Sequence, residues 1–209
     1  VMIPLPPVNI QREIVSECEE VDAQESSLNA EISSCREKID ALFGELEYRT
    51  GECSLSNVLT YVTERIVTDN ITPEQYVTTD TMLQNCEGIR KYDKDLPSGS
   101  VIRFHKGDIL LSNIRPYLRK LWFADFDGGC SPDVLVFRSK NEDFYSGRYI
   151  FYAMRRNKFF DFVMQDVNGI KMPRGNKEHI MRYKIPAPSQ GQQKKFLDAV
   201  TELEAEISE

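Results

Sequence analysis

Two similar phrases bracket most of this chain. The first, IPLPPVNIQREIV, runs from Ile3 to Val15, and the second, IPAPSQGQQKKFL, runs from Ile185 to Leu197, 182 positions later. Both begin with Ile-Pro-x-Pro. Proline fixes φ and keeps the residue before it out of the α region, so each phrase predicts an extended segment that leads into a helix. Solenoid repeats recur at roughly 20 to 50 residues, so the longer spacing indicates one module between two equivalent junctions.

An apolar seam with heptad spacing follows the first phrase. Between Ile14 and Leu46, apolar residues or cysteine recur at alternating steps of four and three, and only Glu25 interrupts them. This pattern predicts a coiled-coil-type helix of about 33 residues, ~50 Å long. The second phrase continues with the same spacing, and we expect a partner helix to cover the seam, because large apolar groups are unfavourable in water. The residues predicted to form the helix–helix interface are Ile14, Val21, Leu28, Ile32, Ile39, Leu42, Phe196, Val200, Leu203 and Ile207.

The second helix is expected to stop early, because the sequence ends at Glu209. Counted from the two phrases, Glu209 corresponds to Ser27, which lies part-way along the first helix. Two interpretations remain open. Either the rest of the second helix belongs to sequence outside this chain, or two copies form a homodimer head to tail about a two-fold axis, each supplying the helix that the other lacks.

The segment between the two helices has a mixed pattern. EQYVTTD, GSVIRFHKGDILLSN, LRKLWFADFDGG and DVLVFRSK are rich in β-branched and aromatic residues and are bounded by turn-forming residues, which predicts strands. A short helix is predicted from about Ser54 to Val62, and GRYIFYAMRRNKFFDFVMQ predicts one or two helices. We therefore predict an α+β fold, with a long helix in residues 1–48, an inserted β-rich domain in 49–184, and the start of a second helix in 185–209.

The sequence gives no support for catalysis. Five cysteines are scattered without a CxxC pair, and His105 and His179 have no metal-ligand spacing. No serine or cysteine lies in a nucleophile motif, and neither a glycine-rich cofactor loop nor an adenine methyltransferase motif is present. We therefore expect no catalytic residues, no metal and no cofactor. No stretch approaches the ~20 apolar residues of a membrane span, so we expect no membrane contact and a location in the reducing cytoplasm.

Charge is segregated along the chain, although the formal net charge is −7. Residues 1–50 carry 4 Lys or Arg against 11 Asp or Glu, whereas residues 101–185 carry 16 against 9. This asymmetry indicates an anionic partner for the basic half, with an ordinary solvated surface as the alternative. Arg and Lys bind phosphates, and Arg and Asn also reach base edges, so we predict a DNA-binding surface from two clusters. Their members are Lys106, Asn113, Arg115, Tyr117, Arg119 and Lys120, and Lys171, Arg174, Asn176 and Lys177.

The order of these segments resembles the specificity subunit of type I restriction–modification systems. In that family a target recognition domain ends in a phrase similar to kiPlPpleeQ, which leads into a long helix. Here IPLPPVNIQREIV and YKIPAPSQGQQKKFL match two such boundaries. KGDILLSNIRPYLRKLWFADFDGGCSPDVLVFR is similar to the core of a recognition domain, and NGIKMPRGNKEHIMRYKIPAP is similar to its closing segment. A complete subunit has two recognition domains and two full helices, whereas this chain has one domain, one full helix and part of a second.

The resemblance implies that the chain reads DNA sequence without catalysing a reaction. Each recognition domain reads one half of a split double-stranded site, and two antiparallel helices set the distance between the half-sites. Adenine methyltransferase (modification) subunits, which flip and methylate adenine at N6, and restriction/translocase subunits bind to that assembly. Two other interpretations remain open: a coiled-coil adaptor whose α+β domain binds protein, and the recognition tail of a fused methyltransferase–specificity polypeptide.

Overall fold

The computed structural model describes residues 5–169 and 171–206. The helices are α1 Val8–Arg49, α2 Leu55–Val58, α3 Gly147–Arg155, α4 Asn157–Met164, α5 Lys177–Met181 and α6 Gln190–Ala205. The strands are β1 Glu52–Ser54, β2 Leu59–Tyr61, β3 Arg65–Val67, β4 Tyr76–Val77, β5 Ser100–Phe104, β6 Ile109–Ser112, β7 Leu121–Phe123, β8 Gly128–Cys130, β9 Val134–Ser139, β10 Val167–Asn168, β11 Arg174–Gly175 and β12 Lys184–Pro186.

The chain divides into two compact units. The helical unit comprises Val1–Leu42 and Asp198–Glu209, and the large unit comprises Phe43–Leu197. Helix α1 has 42 residues, more than the 33 predicted, because it begins at Val8, directly after Pro7, instead of at Ile14, and ends at Arg49 instead of at Leu46. Proline is tolerated at a helix start, where its missing N–H leaves no intrahelical bond unmade. The domain limits predicted from the sequence remain a prediction.

Two four-stranded sheets form the framework of the large unit. One has the order β2-β9-β6-β7 and is antiparallel, and the other has the order β3-β5-β8-β4, in which β4 runs parallel to β8. In the first sheet, Leu110 of β6 pairs with Val136 on one side and with Trp122 on the other. All four residues of β6 are buried, and the rings of Phe104 and Trp122 meet edge to face, with centroids 5.8 Å apart. The sheets therefore form a rigid base for the loops that follow each strand.

Most of the predicted elements of the large unit are confirmed. The long strand segment from Gly99 to Asn113 divides into β5 and β6 at a turn where Gly107 has φ +91°, a conformation that glycine adopts without steric cost. The helical pattern from Gly147 to Gln165 gives α3 and α4, separated at Arg156, whose ψ of 151° is extended. The predicted strand EQYVTTD is shorter than expected, because only β4 pairs with the sheet.

The short helix predicted from Ser54 to Val62 is wrong in its second half. Only α2 is helical, and the chain then continues as β2, in which Leu59 pairs with Ser139 of β9. Leu55, Val58 and Leu59 are all buried. Pairing with a strand 80 positions away places these apolar residues in the core, and this tertiary contact outweighs a weak local helix preference.

The junction between the second phrase and the large unit is built from β1 and β12. These strands pair antiparallel, and Ala187 N donates to Gly51 O at 2.8 Å. Beyond them, Phe43 of α1 packs on Phe196 of α6, with ring centroids 4.4 Å apart. Moving from the β1–β12 pair to the contact between Phe43 and Phe196, the chain is followed backwards along α1 but forwards along α6. The two helices therefore run antiparallel, as the resemblance implied.

Candidate nucleic-acid interface

The structure joins the two basic clusters that the sequence left separate. The chain from Asn113 to Arg115, which follows β6, lies beside the chain from Pro173 to Gly175. Arg115 N donates to Pro173 O at 2.8 Å, Gly175 N donates to Asn113 O at 3.2 Å, and an antiparallel bridge joins Ile114 to Arg174. We name the combined surface, residues 113–118 and 171–175, the basic rim.

Gly175 allows this close approach. A Cβ at this position would lie 3.1 Å from Ile180 Cδ1, 3.2 Å from Asn113 Oδ1 and 3.3 Å from Val163 Cγ1. Asn113 Oδ1 is itself buried and has no hydrogen-bond donor among the described residues. Asn113 therefore lines the contact between the two halves of the basic rim and does not extend from it.

Several side chains of the basic rim extend into solvent. Arg115, Lys171 and Arg174 are exposed, and so are Tyr117 and Met172. Arg174 Nη2 lies 3.0 Å from Asp133 Oδ1, whereas the side chains of Arg115, Tyr117 and Lys171 have no hydrogen-bond or ion-pair partner among the described residues. Three cations beside an exposed aromatic ring and a thioether are an arrangement that suits phosphates and base edges.

Arg119 and Lys120, which were predicted to bind DNA, have side chains that contact other residues of the large unit. The guanidinium of Arg119 lies over the ring of Phe160 at 5.5 Å, and its Nη2 donates to Arg155 O at 3.4 Å. Lys120 Nζ donates to Thr79 O at 2.6 Å. Burial lowers the pKa of Lys120, and the nearby charges of Arg90 and Arg115 lower it further, while Asp80 acts in the opposite direction. Both side chains therefore support the basic rim from within.

Asn176 and Lys177 also have partners within the domain. Asn176 Oδ1 accepts hydrogen bonds from Glu178 N and His179 N and so caps α5, while its Nδ2 donates to Asp166. Lys177 Nζ lies 2.9 Å from Tyr61 Oη and 4.4 Å from the centre of the Tyr61 ring. The cap fixes the orientation of α5 directly behind β11.

Lys106 is the predicted DNA-binding residue that the structure separates from the others. It lies in the turn between β5 and β6, at the opposite end of β6 from Asn113. Its backbone N–H donates to Asp127 Oδ1 at 2.7 Å, and the adjacent His105 lies near both Asp127 and Glu64. Lys106 therefore lies beside a network of paired acidic and basic groups that includes Arg103 and Arg138, and it is separate from the basic rim.

Arg90 is a basic residue that the sequence reasoning missed. It is exposed, and its charge acts on Lys120 together with that of Arg115. Its backbone N–H donates to Thr81 O, which fixes it near the Thr79 to Lys120 contact. The adjacent Arg90-Lys91 pair was the only signal in the sequence, and nothing in that signal indicated proximity to residues 25 positions away.

The helix–helix interface residues have very different surroundings along α1. In the helical unit, Ile39 and Val200 are buried, Ile32, Leu42 and Leu203 are half-buried, and Cys35 Sγ lies 3.6 Å from Leu203 O. Phe196, in the large unit, is buried against Phe43. In contrast, Ile14, Val21 and Leu28 are exposed. Ile207 lies outside the described residues.

The described residues contain no cluster of three or more His, Cys, Asp or Glu side chains that could hold a metal ion. Within the same part of the chain, each helix is too short or too polar to span a bilayer.

Comparisons with known proteins point to one family. No protein-family model matches the sequence. Over 100 residues, 48% of this chain, the sequence is 31% identical to the type I restriction enzyme EcoDI specificity subunit of Escherichia coli, of which the match covers 22%. The fold is similar to that of the HsdS subunit from Thermoanaerobacter tengcongensis, with a TM-score of 0.54 and 14% identity over 99% of this chain and 53% of that one.

A second solved structure agrees. The type I restriction–modification S subunit from M. genitalium matches with a TM-score of 0.55 and 14% identity, over 97% of this chain and 56% of that one. The chain thus spans about half the length of the solved subunits that it matches, and less of the curated relative. The predicted resemblance is confirmed, as is the α+β fold with long helices.

Proposed function

We propose that this chain, a relative of type I specificity subunits by sequence and by fold, recognises one half of a split site in double-stranded DNA. The observation that carries this proposal is the basic rim, because two distant basic segments are joined there on a rigid base and their side chains extend outward. In this proposal Lys171, Arg174 and Arg90 bind phosphates and fix the register. Arg115 and Tyr117 face the bases in this proposal, since both are exposed in the loop that follows β6 in sequence.

The proposed partners follow from the resemblance. Adenine methyltransferase (modification) subunits and restriction/translocase subunits would bind the chain and carry out methylation and cleavage, so the chain itself is proposed to be non-catalytic. The exposed acidic surface of α1 supports a protein contact and disfavours a DNA contact, because phosphates would be repelled by it. We propose the bacterial cytoplasm as the location, since the DNA target is there.

Salt-dependent duplex binding tests the proposed function. Arg115, Lys171 and Arg174 are replaced together by alanine, and affinity for duplex DNA is measured between ~50 and 200 mM salt. Each lost phosphate contact lowers the slope of log K against log salt by about 0.9. We therefore expect weaker binding and a slope shallower by about 2, because Lys171 and Arg174 are the two proposed phosphate contacts among the three. Lys106→Ala is the matched control, because this exposed lysine lies at the other end of β6 and should leave the slope unchanged. Equal slopes in wild type and the triple variant would remove the basic rim from the proposal.

A second proposal concerns the first junction, which we infer is covered by a second copy of this chain. Gln11 Nε2 donates to Pro6 O at 2.7 Å, and the equivalent Gln193 Nε2 donates to the equivalent Pro188 O at 3.2 Å. Gln193 also donates to Phe144 O at 2.8 Å and accepts from Ser146 N at 3.1 Å. The same side chain geometry is thus present at both junctions, but only Gln193 holds a turn of the large unit.

Equivalent residues are also buried at the second junction and exposed at the first. Phe196 is 4% exposed and Pro188 is buried, whereas the equivalent Ile14 is 49% exposed and Pro6 is exposed. Among the described residues, the first junction therefore lacks the cover that the second junction has. In every copy the turn containing Phe144 and Ser146 is bound to that copy's own Gln193, so the occupant we propose for the first junction is the equivalent exposed segment of α1 in a second copy, which carries the same apolar residues. The two copies would pair about a two-fold axis through their helices.

Light scattering at micromolar concentration tests this pairing. We expect a mass near twice 24.1 kDa for the wild type, and a return to the single-chain mass in Ile14→Asp, because a carboxylate would be buried without a partner. Glu13→Gln is the control, since it changes a neighbouring exposed residue of the same helix. A wild-type mass near 24.1 kDa would exclude the homodimer.

A further inference from the structure

The backbone at Arg115 is held in an unfavourable conformation. Its φ of +51° and ψ of 64° are left-handed, and it precedes Pro116. Side-chain-bearing residues rarely adopt positive φ, and a following proline further restricts the backbone. Such a conformation persists where the surroundings determine it, and it is concentrated at functional sites.

Hydrogen bonds on both sides hold this conformation in place. Arg115 N donates to Pro173 O at 2.8 Å, and Arg115 O accepts from Leu118 N at 2.9 Å. Asn113 N donates to Asp133 O at 2.8 Å, and Ser112 N donates to Lys120 O at 3.0 Å, so both ends of the loop are fixed to the framework. The loop can therefore present a side chain with little loss of backbone entropy on binding.

The side chain of Arg115 has none of the internal roles of its neighbours. Arg119 stacks on Phe160 and Arg174 pairs with Asp133, whereas Arg115 is exposed and has no partner among the described residues. Its charge lies close enough to Lys120 to contribute to lowering the pKa of that lysine, after burial of the lysine. A ligand that accepts hydrogen bonds and carries negative potential would supply the partner that the side chain lacks among the described residues.

We propose that Arg115 is a specificity-determining residue that reads a guanine in the major groove, an inference that rests on the proposed DNA recognition. Guanine presents two acceptors, O6 and N7, at the spacing that a guanidinium fork matches. Preorganisation of the loop favours this use, because a fixed backbone limits which base edge the guanidinium can reach, whereas phosphate binding tolerates a mobile attachment point. Lys171 and Arg174, on the other segment of the basic rim, bind the adjacent phosphates.

Selection from a pool of randomised duplexes tests the assignment, with the full chain as the protein. We expect the wild type to enrich a sequence that contains an invariant guanine. Arg115→Asn should lose the preference at that one position and retain the others, since Asn tolerates the left-handed backbone and so keeps the loop. Arg115→Lys keeps the charge but not the fork, and we expect it to lose most of the preference. Lys171→Gln, the control, should weaken binding to all sequences alike.

A modified base adds a second readout. Replacing the invariant guanine by 7-deazaguanine removes N7, and we expect roughly ten-fold weaker binding by the wild type but no change in Arg115→Asn. If Arg115→Asn retains the guanine preference, or loses affinity equally for every sequence, Arg115 is not the reader. If the wild type enriches no sequence at all, the proposed function fails together with this inference.

Discussion

At the scale of single residues, Asp108 in the GDIL segment explains how one buried charge organises a turn. It is 1% exposed, and its two carboxylate oxygens accept hydrogen bonds from Arg138 Nε and Nη2, both at 2.7 Å. Oδ2 also accepts from His105 N at 2.7 Å. The hydrogen bond to Asp108 raises the pKa of Arg138. The sequence presented Asp108 only as an isolated acid, because Arg138 is 30 positions away.

We expect Asp108→Ala to lower the free energy of unfolding by about 1.5 to 3 kcal/mol, because it removes two hydrogen bonds from the guanidinium of Arg138 and leaves His105 N without its acceptor, while Glu64 stays 3.9 Å from Arg138. Urea denaturation followed by circular dichroism measures the change. Asp125→Ala, in which an exposed acid is removed from the neighbouring turn, should stay within ~0.5 kcal/mol of the wild type. Similar losses in the two variants would contradict a structural role for the Asp108–Arg138 pair.

At the scale of elements, α1 has two parts with one sequence pattern. The heptad spacing continues from Ile14 to Leu46, but Ile14, Val21 and Leu28 are exposed, whereas Cys35, Ile39 and Phe43 are buried. Helix α6 ends at Ala205, so the two helices overlap along only part of α1 within the described residues. The spacing of apolar residues is therefore a property of the whole element, and burial depends on which segment of it meets a partner.

Matched truncations along α1 measure this difference. Ile39→Ala should lower the free energy of unfolding by about 2 to 4 kcal/mol, because it removes three carbon atoms from a site that is 7% exposed. Ile14→Ala should change it by less than ~0.5 kcal/mol in dilute solution, where chains are separate. Thermal or urea denaturation at low and high protein concentration distinguishes the two sites. Equal losses at low concentration would contradict the partial overlap.

At the scale of the whole molecule, the proposed homodimer would place two copies of the basic rim on one duplex. The described residues form one basic rim, and a split site has two halves. Under the proposed two-fold pairing, the halves of the site would be identical in sequence and inverted in direction. The spacing between them would be set by the paired helices and not by DNA contacts.

Duplexes with one or two half-sites test this arrangement. We expect a duplex with two inverted half-sites at the correct spacing to bind roughly 10²- to 10⁴-fold more tightly than a duplex with one, because the second contact becomes intramolecular. The advantage should disappear when half a helical turn of DNA is inserted between the halves. Equal affinities for the two duplexes, with one chain bound per half-site, would indicate that the copies act independently.

The sequence by itself determined the features that depend on neighbouring residues. The heptad spacing predicted α1, the second phrase predicted the start of α6, and runs of β-branched and aromatic residues predicted β5, β6, β7 and β9. Proline and glycine residues at the junctions and turns predicted where several of these helices and strands begin or end. These signals are local, because periodicity and backbone preference act over a few residues.

Only the tertiary structure decided which distant segments meet, because sheet pairing and burial are set by contacts between residues far apart in sequence. In the tertiary structure, the end of a predicted helix is the strand β2, Asn113 binds Gly175 in the basic rim, and Asp108 pairs with Arg138. The tertiary structure also separated cations that the sequence could not distinguish. Arg119 and Lys120 have internal partners, whereas Arg115, four positions before Arg119, extends into solvent from a fixed left-handed turn. The sequence determines which residues carry a charge, but the tertiary packing determines whether each charged side chain extends into solvent or binds within the domain.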